Sequence, residues 1–103
     1  MTEIRNARIK STSLGREDHG IMTCYLHLDY GGSGQGFGGY VMGEGAYGVN
    51  FITGILDTLE VSSWEKLPGT HLRVKASDSK VEYIGHIIND KWFGPADITP
   101  KRA

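Results

Sequence analysis

Ile21-Met22-Thr23-Cys24-Tyr25-Leu26-His27-Leu28-Asp29-Tyr30 is the stretch that decides the fold class. Met22, Cys24, Leu26 and Leu28 alternate with Thr23, Tyr25, His27 and Asp29. A period of two residues marks a strand with one face in a core and the other toward water. Upstream, Asn6 to Leu14 is compatible with a strand, and Gly15-Arg16-Glu17-Asp18-His19-Gly20 has the polar, glycine-bounded composition of a hairpin connection. The first two strands are therefore expected to pair antiparallel.

Downstream lies the unusual part of the composition. The chain has 15 glycines in 103 residues, and the segment from Gly31 to Gly45 is densest in them. Phe37, Tyr40, Val41 and Met42 interleave with those glycines, which a flexible linker would not need. The segment reads as a glycine loop leading into a third strand, Phe37 to Met42. From Tyr47 the period changes to that of a helix. Val49, Ile52, Ile55, Leu56 and Leu59 define its apolar face to about residue 60. Gly48 and Gly54 weaken that helix by about 1 kcal/mol each relative to alanine, a cost that makes sense where the helix must approach the sheet closely.

Ser62-Ser63-Trp64-Glu65 fits a capping box opening a short helical turn, which Pro68-Gly69 ends. Thr70 to Ala76 and Val81 to Ile88 read as two more strands around a turn at Ser77-Asp78-Ser79. The expected architecture is α+β, an antiparallel sheet of about five strands (β-β-β-α-β-β) with one helix packed on one face. One domain spans 1–94 and a C-terminal tail 95–103. Trp64, Trp92 and Phe93 are the large packing candidates, and an exposed Trp-Phe pair would instead mark an interface.

Composition narrows the class. Eleven basic against 12 acidic side chains leave a net charge of −1 with histidines neutral. General nucleic-acid binding is therefore disfavoured unless one face segregates its cations. The single cysteine, Cys24, cannot form an intrachain disulfide and falls on the apolar face, as a small buried hydrophobe rather than a nucleophile. That usage suits a reducing interior, so cytoplasmic location is expected. No window approaches the roughly 18 apolar residues of a membrane helix.

If the helix covers one sheet face, the other carries Tyr25, His27 and Asp29 with Arg73 and Lys75, joined by Arg8 and Lys10. Gly34-Gln35-Gly36-Phe37-Gly38-Gly39 matches G-x-G-x-x-G in letters only, because Tyr40-Val41-Met42 continues as strand where the dinucleotide fingerprint needs a helix. Its backbone N–H groups could still form an anion-binding concavity. His19, His27, His71 and His86 lack metal-ligand spacing, so no metal or cofactor is expected. His27 and Asp29 share one strand face, and a small hydrolase or nuclease using them is the enzymatic alternative.

Ser11 to Gly15, Glu17 to Gly20, Leu26 to Tyr40, Ser63 to Gly69 and Ile84 to Phe93 resemble a small uncharacterised protein family met in bacteriophages and prophages. The resemblance covers most of the chain and implies a virus-borne accessory protein acting in the bacterial host cytoplasm. Combined with the residues above, it leads to the expectation of a non-enzymatic protein that counters host defence by sequestering a small anionic, nucleotide-type signalling ligand. The expected site is Tyr25, His27, Asp29, Gly34, Gln35, Gly36, Arg73 and Lys75. The alternative is an anti-CRISPR-like inhibitor directed at a host defence protein. A homodimer or higher homo-oligomer is expected because so small a chain offers little surface to enclose a ligand.

Overall fold

A computed structural model describes residues 3–30, 33–39, 42, 47–77 and 80–97. Strands β1 (Glu3–Arg16), β2 (Met22–Tyr30) and β3 (Ser33–Gly39) precede helix α1 (Tyr47–Leu59). Strands β4 (His71–Ala76), β5 (Val81–His86) and β6 (Trp92–Phe93) follow it. All pairs are antiparallel, in the order β3-β2-β1-β4-β5-β6. The α+β class and the single covering helix are as the sequence indicates. The sixth strand is a two-residue addition that pairs Phe93 with Ile84 and Trp92 with Gly85.

The long first strand organises the sheet. Its N-terminal half pairs with β4 and its C-terminal half with β2, with a register irregularity between Ile9 and Ser11 where Lys10 is extra. The hairpin to β2 is shorter than its glycine bounds suggest, because β1 runs on to Arg16. Gly20 takes the left-handed conformation (φ 82°) and donates its N–H to the Glu17 carbonyl. The Glu17 carboxylate accepts from the backbone N–H groups of His19 and Ile21.

The third strand differs from its expected place. Ser33 to Gly36 are strand, not loop, since ladder bonds to β2 use only backbone groups and glycine supplies those as well as any residue. Residues 31, 32, 40, 41 and 43–46, on which the rest of the glycine-loop reading falls, lie outside the described residues, as do 78–79 of the expected turn and 98–103 of the expected tail. Of that tail, Pro95–Asp97 forms a 3-10 turn whose Asp97 carboxylate accepts the Gly94 N–H at 2.9 Å.

The helix face is corrected by one step. Gly48, Phe51, Ile55, Thr58 and Leu59 are buried. Val49 is 63% exposed, and Ile52 and Leu56 are only partly covered. Phe51 turns the helix to this phase. Its ring lies 5.5 Å from Phe37 of β3 and 5.8 Å from Phe93 of β6, so one helical side chain bridges both ends of the curled sheet. Both helical glycines permit close approach: a Cβ on Gly54 would stand 2.4 Å from the Phe93 ring, and one on Gly48 2.6 Å from Met42 Sδ.

The helix ends with Glu60 in the left-handed region (φ 57°), Val61 donating to the Leu56 carbonyl and Glu60 to that of Asp57. This is the paired-bond termination usually built on glycine. The capping box of Ser62 and Glu65 does not form: the turn starts after Ser63, which makes no side-chain cap, and Ser62 Oγ accepts instead from Lys66 Nζ at 3.1 Å.

Candidate functional site

Register sorts the sheet's two faces. Ala7, Ile9, Cys24, Leu26, Leu28, Leu72, Val74 and Ile84 fill the inner, helix-covered side. On the outer side Asp29 stands opposite Arg8 and Gly34, His27 opposite Ser11 and Gly36, and Tyr25 opposite Ser13. Arg73 stands opposite Asn6 and Gly85, and Lys75 opposite Ile4 and Tyr83. Seven of the eight predicted site residues thus share one face. Gln35 does not, because it pairs with buried Leu28 and falls on the inner side of β3.

Sharing a face does not bring them together. Arg73 and Lys75 lie on β4, two strands from His27, and are offset along the strands too, since they stand opposite Asn6 and Ile4 of β1 whereas His27 stands opposite Ser11. The Arg73 guanidinium donates to the carbonyls of His86 (2.8 Å) and Asn89 (2.9 Å), holding the turn before β6. His27 Nε2 lies 3.0 Å from Ser13 Oγ, a partner that no sequence spacing indicated because it lies diagonally across the β1–β2 pair. The imidazole also stacks on Tyr25 at 5.8 Å. Asp29 makes no hydrogen bond to it among the described residues, so the pair lacks the carboxylate that would orient and strengthen a base. Among the described residues no group of three or more His, Cys, Asp or Glu side chains could hold a metal ion.

The backbone of β3 has a direction that matters more. Ile9 donates its N–H to Thr70 and accepts from Gly69, so its polar groups face β4. Leu28, opposite Ile9, must then turn its own N–H and C=O toward Gln35 of β3. Gly34 and Gly36 consequently direct theirs away from β2, to the free edge of the sheet.

Two clefts meet at Gly36. The smaller, ≈ 280 Å³, lies between Lys10, His27, Gly34, Gln35 and Gly36. The larger, ≈ 540 Å³, lies between Gly36, Phe37 and Gly38 on one side and Lys80, Val81, Glu82, Tyr83 and Pro95 on the other. The sheet curls until Cα atoms of β3 come within 8 Å of those of β5. An interposed strand would need two spacings, about 9–10 Å. The seam therefore stays unclosed yet too narrow for an interposed strand.

Sequence reasoning missed Lys80, Tyr83 and Pro95, whose proximity to Gly36 depends on sheet curl. Cys24 is fully buried, and burial pushes its thiol up to about 11, which removes it as a nucleophile. No helix among the described residues is long and apolar enough to cross a membrane. Comparison with known protein families, with curated proteins and with solved structures finds no match to this chain.

Proposed function

We propose that this chain is a non-enzymatic binding protein that captures a small anionic ligand of the nucleotide type at the β3 edge and withholds it. The observation that carries this reading is the ≈ 540 Å³ seam cleft, into whose wall Gly36 brings outward-facing backbone polar groups, with Lys80 opposite. Its volume falls within the roughly 300–1,000 Å³ usual for small-molecule sites. Backbone N–H donors and an ammonium are the groups that hold phosphate oxygens, while the half-buried Tyr83 supplies apolar surface for a base. The resemblance to phage and prophage proteins supplies the setting: a virus-borne protein that withholds a host immune signal in the bacterial cytoplasm.

Self-association belongs to the same reading. Val49, Ile52 and Leu56 form an apolar stripe on α1 beyond the part the sheet covers, and a second copy would bury it in a symmetric dimer. Light scattering should then give more than the 11.3 kDa of one chain.

Calorimetry against mono-, di- and cyclic nucleotides, with the released ligand checked by chromatography, tests the function. The expected result is saturable binding, unchanged ligand on release, and at least a tenfold loss in Lys80→Glu. Absence of binding across the series, or a Lys80→Glu protein with unchanged affinity, would overturn the reading.

A further inference from the structure

The outer sheet face carries a second arrangement, apart from the seam. Its exposed cations are Lys10 and Arg8 of β1, and it also carries Arg73 and Lys75 of β4 with exposed His71 beside them. Asp29 is the carboxylate at a register position among them. Of the other acidic side chains, Glu17 and Asp18 lie in the hairpin turn, Asp57 and Glu60 at the end of the helix and Glu65 after it, while Glu82 is on β5 and Asp90 sits beside Trp92. A chain of net charge −1 has thus collected basic groups on one side.

Aromatic rings stand at both ends of this basic zone. At one end a Cβ on Gly36 would meet Tyr25 Cδ1 at 3.6 Å and one on Gly39 would meet Tyr25 Cε1 and its hydroxyl at 3.8 Å, so this ring lies over glycine backbone. At the other, a Cβ on Gly85 would stand 2.5 Å from Trp92 Cε3, so the indole lies flat on Gly85. Because those glycines carry no side chain, each ring lies down on the sheet, half-exposed, and Tyr25 also stacks on His27. The Trp92 ring is also within 4.8 Å of the Arg73 guanidinium carbon and 4.3 Å of Lys75 Nζ, measured to its centroid. Its indole N–H is fixed on the Asp90 carboxylate at 3.0 Å. Lys75 also reaches the Tyr83 ring at 5.6 Å.

Tyr25 on β2 and Trp92 on β6 are four strands apart and are also displaced along the strands, Tyr25 being in register with Ser13 of β1 and Trp92, through Gly85 and Arg73, with Asn6. Arg8, Lys10, Arg73 and Lys75 lie on the strands between or beside them. Flat rings separated by a row of cations match a polymer that repeats bases and phosphates, where a single nucleotide would engage one end only. We propose that the outer face is a docking surface for single-stranded RNA, with bases stacked on Trp92 and Tyr25 and the intervening phosphates on Arg8, Lys10 and Lys75. RNA rather than DNA is assigned because Asp29 and the Ser11 and Ser13 hydroxyls stand within the track as acceptors. A carboxylate there repels phosphate but accepts from a ribose 2′-hydroxyl, which DNA lacks.

Fluorescence anisotropy with a labelled oligouridylate of about 12 nucleotides tests this. Binding should weaken linearly in log–log form between about 50 and 200 mM salt, with a slope near −2 for three phosphate contacts. Trp92→Ala should weaken it by about 5- to 150-fold, the range for losing one stacked base. Lys10→Gln and Arg8→Gln alter exposed side chains, and each should reduce the slope by about 0.7 while leaving the melting temperature unchanged. The oligothymidylate of equal length should bind several-fold more weakly. Absence of binding at low salt, wild-type affinity in both charge variants, or equal affinity for the DNA strand would each overturn the assignment.

Discussion

A Cβ on Gly38 would stand 2.1 Å from the carbonyl oxygen of Cys24, and Gly38 holds φ at 121°. Its neighbour Gly36 is different, with the nearest atom to an added Cβ being Tyr25 Cδ1 at an ordinary 3.6 Å. Dense glycine in one stretch therefore hides two roles, one conformational and one of open surface. Gly38→Ala should cost about 3 kcal/mol or more in chemical denaturation, from strained φ and collision with backbone together. Gly36→Ala should stay within about 1 kcal/mol of wild type. Equal losses at the two positions would refute the distinction.

The helix phase makes a second pair of expectations. Phe51→Ala removes the ring that joins Phe37 to Phe93 and should cost about 3–5 kcal/mol. Val49→Ala, on the opposite flank and 63% exposed, should change stability of the isolated chain by less than about 0.5 kcal/mol. Urea melts of the two variants at a concentration low enough to keep the protein monomeric would decide it.

Cys24 predicts a loss of stability in alkali. Burial raises its thiol from 9.0 to about 11, so the folded state keeps the proton that the unfolded chain gives up. Stability from this group is full below about pH 9 and declines as pH rises toward 11. In Cys24→Ala the decline over that window should be shallower, and denaturation curves at several alkaline pH values measure it.

Glu60 predicts the reverse dependence at low pH. The Asn89 amide at 2.7 Å, with Lys91 Nζ at 3.4 Å and His86 Nε2 at 3.7 Å, holds its carboxyl below the ordinary 4.5. A depressed carboxyl stabilises the fold above its unfolded value, and that contribution disappears as pH falls below 4.5 through the folded value. Glu60→Gln should flatten the acid limb of stability against pH. An unchanged acid limb in this variant would show that the cluster contributes nothing.

Alternation at Met22 to Tyr30 and the helical period after Tyr47 were legible because each reflects one element's geometry against a core. From the chain alone came the α+β class, the outer-face placement of Tyr25, His27, Asp29, Arg73 and Lys75, and the burial of Cys24. What tertiary structure decided depends on relations between distant segments. Phe51 outranked Val49 because two other phenylalanines, far away in sequence, converge on it. Glycines 34 and 36 became strand because β2 supplied a ladder, and Trp92 and Phe93 parted to opposite faces because β6 pairs with β5. Lys80 reached the neighbourhood of Gly36 only through the curl of the sheet. Periodicity records which way a residue faces within its own element; twist, curl and register set which elements meet, and those arise from packing summed over the whole sheet.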